Sequence, residues 1–365
     1  WRDWSSDVCS SDLGGLVLTS LAVAQDLLDE GRVANALLCA TDPGRQTRSA
    51  TAVAERARGA LRPTLDDYGL SLGPAARGVD EEPSVRLTGR RLLLEREIDR
   101  VAASVLGPLG GRPSLVVLAN AMRPAGGTGS IPYSTIVGID VTTHPVGSLV
   151  DDAGVPLPLP GRDEIVIDRW MADDLASQGS PVAIGDTIAI DVFLPETLHG
   201  RVVEATHRLR VAGIAAMRGA AVARSLVPDV EGITDEASIA DWDPPFPFDS
   251  SRVRTTPPHD EDDRYWKAHG AAPKAFVSLD TARTIAASRF GETTAWHVPA
   301  AAVTDDAAVS DAVAGGVRPE AVGFRVVPLA DEAAAAARGA TPFGGLFVGL
   351  SLFVVIAGLI LEWLL

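Results

Sequence analysis

The sequence predicts an α+β chain in which two α/β halves flank a β-rich middle and one transmembrane helix follows. Three observations carry that expectation. Segments with helical apolar spacing alternate with short apolar runs near both ends of the soluble part, whereas the middle is mostly strand-like. The stretch Ser20-Leu21-Ala22-Val23-Ala24 is similar to Ser278-Leu279-Asp280-Thr281-Ala282. Each follows apolar residues and precedes helix, strand and helix, which is the pattern of a weak two-fold repeat. Finally, Phe343 to Leu361 holds nineteen residues without a charge. At 1.5 Å per residue that is about 28 Å of helix, close to the hydrocarbon thickness of a bilayer.

Taken in order, residues 1–13 (WRDWSSDVCSSDL) show no apolar period and resemble the translation of a sequencing-adapter oligonucleotide. They are set aside from fold reasoning, and Cys9 with them. Residues 14–80 are the first α/β half. Ser20 caps a helix through Glu30, Val33 to Ala40 reads as a strand, and Thr47 to Leu61 as an Ala-rich helix. Ala22-Val23-Ala24 also has the form of a signal-peptidase site, but no basic segment precedes the short apolar stretch.

Residues 81–228 are the β-rich insertion. Leu115 to Ala119, Thr135 to Val141, Glu164 to Asp168, Thr187 to Leu194 and Glu204 to Ile214 read as strands, with a short helix at Arg169 to Ala176. Residues 229–273 read as a Pro-rich acidic loop. Between Asp229 and Arg264 there are eleven acids against three Arg, and Pro at this density suits neither a sheet interior nor a helix. Residues 274–342 form the second half. Lys274 to Leu279, Thr293 to Pro299 and Gly323 to Val327 are strand candidates; Asp280 to Ser288, Asp305 to Ala314 and the Ala-rich run Asp331 to Arg338 are helical.

Residues 343–365 are the transmembrane helix, with Phe343, Leu346, Val348, Leu350, Phe353, Ile356 and Leu359 among its apolar side chains. Gly345 and Gly349 make a small-xxx-small pair suited to close helix packing. All three Met are internal, and the apolar helix runs to the last residue, so both ends are read as cut.

Charge excludes some partners. With 32 Lys+Arg against 48 Asp+Glu the formal charge is −16. A nucleic acid would meet net repulsion, and no basic stripe compensates. Two cysteines, Cys9 and Cys39, make neither a disulfide framework nor a thiol metal site.

No catalytic constellation, cofactor motif or metal site stands out. His259, Asp260, Glu261, Asp262, Asp263 and His269 cluster in sequence, but the acids are consecutive and lack calcium-loop spacing, so a solvated acidic loop is expected. Gly126-Gly127-Thr128-Gly129-Ser130 lacks the lysine of a phosphate-binding loop. Neither a serine-elbow motif nor an ATPase signature is present. Trp242, Phe246, Phe248, Tyr265 and Trp266 interleave with Pro in the acidic loop. They either bind a partner or apolar substrate, or pin the loop to its domain by burying aromatic area.

Several stretches together resemble a family. These are DEIVIDRWMADDL and IGDTIAIDVFLP within Asp163 to Pro195, WDPPFPFD at Trp242 to Asp249, Tyr265-Trp266, PKAFVSL at Pro273 to Leu279, Ser288-Arg289-Phe290-Gly291, and FGGLF at Phe343 to Phe347. NAMRPAGGTGSIPYS (Asn120 to Ser134) adds to them. In that order they resemble the extracytoplasmic domain of FtsX-like (MacB-type) ABC transporter permeases. The resemblance implies a membrane-proximal subdomain built from the two α/β half-repeats, a β-rich insertion subdomain, and then the second membrane helix. It further implies a bacterial cytoplasmic-membrane location with the large domain outside, a permease dimer, and contact with membrane lipid. ATP hydrolysis is assigned to a separate cytoplasmic ABC ATPase subunit, so this chain is not itself an enzyme, and the substrate or partner outside is a protein, lipid or peptide. Two rivals remain. One is a membrane-anchored extracytoplasmic sensor without an ATPase; the other is a tethered hydrolase using His259 and Asp260.

Overall fold

The computed structural model describes residues 19–27, 34, 36–39, 50–75, 78, 80–194, 203–244, 246–286, 288–337 and 343–365. They fall into two units, one drawn from the residues up to Arg56 with Pro328–Leu365, the other Ala57–Val327. The adapter-like segment lies outside the described residues. Helix α1 (Leu21–Leu27) begins as expected after Ser20, whose Oγ accepts the Val23 N–H at 3.3 Å. Helix α2 (Ala50–Ala60) follows.

The Ala57–Val327 unit is built on one sheet. In chain order come β1 (Leu70–Pro74), β2 (Ser84–Gly89), α3 (Arg96–Leu106), β3 (Arg112–Pro124) and β4 (Ile131–Ile139). A short ribbon, β5 (Thr143–His144) with β6 (Gly147–Ser148), precedes β7 (Glu164–Asp168), which runs straight into α4 (Arg169–Ser177). Then follow β8 (Thr187–Phe193), β9 (Glu204–Ala215), α5 (Glu261–His269), β10 (Ala275–Ser278), α6 (Leu279–Ala286), β11 (Ala295–Pro299) and α7 (Asp306–Gly316). The first unit is completed by α8 (Leu329–Ala337) and α9 (Phe343–Leu364).

The strand order is β1-β2-β11-β3-β4-β10-β7-β9-β8, and β8 also pairs with β3. The last six strands of that order therefore close into a ring. Strand β3 makes closure possible by its 13-residue length: Arg112 to Ser114 pair with β11, and Ala119 to Pro124 pair with β8.

This corrects the expected architecture. Strands β10 and β11, assigned to a second half-repeat, lie inside the same sheet as the strands of the supposed insertion. Strand β10 sits centrally, parallel to β4 and antiparallel to β7. Its Ala275, Phe276 and Val277 are fully buried, as a strand covered on both faces requires. A closed six-stranded ring replaces two half-repeats around a separate insertion.

Alternation along the strands feeds two cores. One face carries Leu115, Val117, Ile136, Ile165, Ile167, Ile190 and Val277 against Met171 and Leu175 of α4 and Ala282 and Ile285 of α6. The opposite face carries Val116, Val137, Ile139, Val166 and Phe276 against Val146, Leu149 and Leu226. A third core lies on the β1-β2-β11 extension. Helix α3 presents Ile98, Val101, Ala102 and Leu106 at helical spacing to Leu87, Trp296 and Val313.

Gly138 marks where α6 crosses β4: an added Cβ would lie 2.3 Å from Ala282 Cβ. Gly138→Val should destabilise the fold by about 2–3 kcal/mol, the scale of overpacking a filled core, read as a lowered urea midpoint. An unchanged midpoint would show that α6 moves freely.

Two expected strands are absent among the described residues. Residues 36–39 of the Val33 to Ala40 stretch are irregular and exposed, while Val33, Asn35 and Ala40 lie outside the described residues. Residues 324–327 are irregular too. Phe324 packs edge-on against Tyr68 at 5.5 Å, and the Val326 carbonyl accepts from Arg58 at 2.7 Å. These contacts hold that segment, which has no ladder partner among the described residues. The acidic Pro-rich loop also contains a helix. Glu261, Asp262 and Asp263 form the first turn of α5, where carboxylates complement the helix N-terminus.

Candidate functional site

The loop from Val227 to Ala272 folds back over the ring. Its aromatics meet Tyr133 of β4. Phe248 lies 4.7 Å from the Tyr133 ring, Trp242 lies 5.8 Å from Phe248, and Trp242 meets Trp266 edge-on at 4.8 Å. Two hydrogen bonds fix this layer: Trp266 Nε1 donates to the Glu236 carbonyl at 2.9 Å, and the Asp249 N–H donates to the Tyr133 hydroxyl at 2.8 Å. Tyr133 adopts φ +33°, a strained value for a bulky residue, and the packed loop holds it there.

Beneath this layer is a cavity of about 430 Å³. Trp242, Phe246, Tyr265 and Trp266 line it, with Leu115 to Leu118 of β3 and Tyr133 to Thr135 of β4 on the other side. Four of the five loop aromatics singled out in the sequence therefore face one space. Phe248 packs behind them. A volume of this size with mainly apolar walls is in the range of small-molecule sites.

The polar groups beside the cavity come from four segments. Arg254 is clamped between two carboxylates. It donates to Asp174 at 2.9 and 2.8 Å and to Asp262 at 3.0 and 2.6 Å. Asp174 also accepts Gln178 Nε2 at 2.8 Å. Burial works against the Arg254 charge, but the hydrogen bonds of Asp262 and Asp174 outweigh it and hold its pKa above the usual value. Asp168 caps α4 by accepting the Met171 N–H at 2.6 Å. It is 0% exposed, and burial pushes its carboxyl up to about 7, against the pull of the Met171 N–H and Lys274.

Lys274 is 4% exposed and stands in the cavity wall. Its ammonium lies 4.5 Å from the Trp170 ring centroid and 4.6 Å from that of Tyr265. Burial lowers its pKa, with Asp262 and Asp168 opposing. Sequence reading overlooked Lys274, Arg254, Asp168, Asp174 and Tyr133. The available signal was Lys274 itself, one of only two lysines in the chain, set directly before the apolar run AFV.

The acids of the loop serve the fold. Asp262 pairs with Arg254, and Asp263 pairs with Lys267 at 2.6 Å and accepts from Ser238 at 2.6 Å. Both are buried, which corrects the expectation of a uniformly solvated run. Asp260 pairs with Arg264 at 3.0 Å, and the backbone N–H of exposed His259 donates to Thr256. Among the described residues no group of three or more His, Cys, Asp or Glu is placed to hold a metal ion.

Helix α9 is long and apolar enough to cross a membrane, with a mean hydropathy of 2.3 over Phe347–Leu364 and none of that window buried. Val348, Leu350, Phe353, Ile356 and Leu359 are exposed along it. Phe343 and Leu346 belong to its first turns. An added Cβ at Gly345 or Gly349 would meet nothing within 4 Å. A scan of the chain against models of protein families finds no match, and a search of curated proteins finds no significant relative.

Proposed function

We propose that this chain is the extracytoplasmic domain and second membrane helix of a permease subunit in an FtsX-like (MacB-type) ABC transport system. The observation that carries the reading is the ordered set of family-like stretches ending in an apolar helix. Their placement supports it. EIVID and RWMADDL are β7 and α4, TIAIDVF is β8, AFVS is β10, and Tyr265-Trp266 belong to α5. All of these belong to the ring or its cover, so the resemblance falls on one structural core.

In this reading a cytoplasmic ATPase dimer closes on ATP and shifts the membrane helices. The Ala57–Val327 domain then works on a substrate or partner outside the bacterial cytoplasmic membrane. ATP hydrolysis belongs to the ATPase subunit. Two permease subunits associate, with Gly345 and Gly349 forming a close-contact face. Gly345→Ile with Gly349→Ile should reduce cysteine crosslinking between α9 helices of the intact protein several-fold. Unchanged crosslinking would remove that face from the interface.

Sequencing the gene on both sides of this segment tests the whole reading. It should show one apolar helix upstream, two downstream and a neighbouring ATPase gene. A cytoplasmic signalling domain after α9 would instead establish the anchored sensor.

A further inference from the structure

We infer that the 430 Å³ cavity is a binding site for a long-chain carboxylate, its apolar chain held among Leu115, Val117, Trp242 and Trp266 and its head group on Lys274. The inference goes beyond the permease reading and stands whether or not an ATPase drives the chain.

The polar inventory of the walls selects the head group. Most wall polar groups are satisfied within the protein. The Thr135 hydroxyl donates to the Ala271 carbonyl at 3.1 Å, that of Ser134 to Pro132 at 2.9 Å, that of Thr234 to Val230 at 3.1 Å, and that of Tyr265 to Ala272 at 3.1 Å. The Asp262 carboxylate is taken by Arg254.

What remains are donors. The Lys274 ammonium has two aromatic faces but, among the described residues, no carboxylate within 4.0 Å and no hydrogen-bond acceptor. The Trp242 indole N–H is buried and without a partner among the described residues. The Tyr133 hydroxyl accepts from Asp249, which leaves its proton available. Unpaired buried donors are costly, and a ligand that supplies acceptors removes that cost. A wall with spare donors, one of them cationic, and otherwise apolar surface fits an apolar chain ending in a carboxylate.

A second, open cavity of about 770 Å³ adjoins the first, because Leu92, Pro228 and Val230 line both. It carries Asp229, Glu231, Asp235, Glu236 and Asp243. Asp229 is paired with Arg86 at 2.6 Å. These carboxylates would slow an anion that enters through the adjoining cavity. They face open space, where salt screens them over about 8 Å at physiological ionic strength, whereas the buried ammonium is screened far less. Association of the carboxylate should therefore speed up as salt is raised, the reverse of electrostatic steering.

The test is photolabelling of the full chain in lipid nanodiscs with a diazirine-bearing fatty acid, read by peptide mapping. Label should appear on peptides carrying Leu115 to Leu118, Trp242 or Trp266. Dodecanoate should displace it about tenfold more effectively than dodecanol or dodecylamine, the scale of one charge-assisted hydrogen bond. Lys274→Met should erase that advantage, and Lys274→Arg should keep it. If Lys274→Met does not fold, Ala271→Trp, which fills the cavity from its wall, should abolish the cavity label. Equal displacement by the alcohol would overturn the head-group assignment. Stronger displacement by the amine would do so too, and would place recognition at the acidic mouth. Label confined to α9 or absent from the cavity peptides would overturn the site.

Discussion

Arg254→Met should destabilise the Ala57–Val327 unit by about 3–5 kcal/mol, the cost of removing one partner from a buried ionic cluster. Asp174 and Asp262 are both buried and share this one guanidinium. Without it, two buried carboxylates lose their shared counter-charge. The clamp also joins segments distant in sequence: Asp174 on α4, Arg254 in the loop and Asp262 on α5. Its loss should therefore loosen the aromatic cover first. Proteolysis within 229–253 should accelerate before global unfolding, and the urea midpoint should fall. Adding Asp174→Asn and Asp262→Asn to Arg254→Met should restore most of the loss, because neutral amides no longer demand a counter-charge. A single-variant cost below about 1 kcal/mol would mean that the cluster behaves like a surface ion pair and does not fasten the loop.

Much of the strand layout was legible because burial on one face writes itself as alternation. EIVID and TIAIDVFL match β7 and β8 almost to the residue, and the short helix read at Arg169 to Ala176 is α4. Pairing was not legible. The run AFVS reads identically whether it opens a second half-repeat or fills the centre of a ring, since a strand's own pattern says nothing of which edge it joins. Strands β1 and β2 were missed because Pro, Gly and acids surround them; β2 is held between β1 and β11, and that context overrides its weak local signal. Helix α5 was hidden inside an acid-rich, Pro-flanked segment, although Lys267 and His269 in its last turn complement the acids of its first. At the cavity, the aromatics were legible as a cluster of unusual composition. Arg254 and Lys274 were not, because a basic residue in a loop or at the start of a strand looks solvated until the fold supplies two acids or two rings around it.

Stability should fall as pH drops from about 6.5 to about 4, and a buried histidine pair should account for it. His144 in β5 and His297 in β11 lie 5.1 Å apart, ring to ring, and both are buried. His297 has no hydrogen-bond partner on either ring nitrogen among the described residues, and His144 Nε2 has none. Burial, with Arg112 nearby, pushes His144 down to about 3. Burial, then His144 and Arg86, holds His297 well below its ordinary value. The unfolded chain gains a proton at each histidine near pH 6.5, while burial sets protonation of both native rings to lower pH. Asp168 acts in the opposite sense: its native carboxyl, raised to about 7, keeps a proton that the unfolded chain releases near 3.8. Two histidines that favour the unfolded chain outweigh one carboxyl that favours the native state, so stability falls as pH drops across this window. His269, half-buried and also lowered, adds in the same direction. Urea titrations at pH 6.5 and 4.5 give the slope directly. In His144→Asn with His297→Asn it should flatten or reverse, because Asp168 then dominates, and adding Asp168→Asn should remove the reversal. The same downward slope in wild type and double variant would show that the pair already carries a proton in the native state, and that the carboxylates alone set the acid limit of the fold.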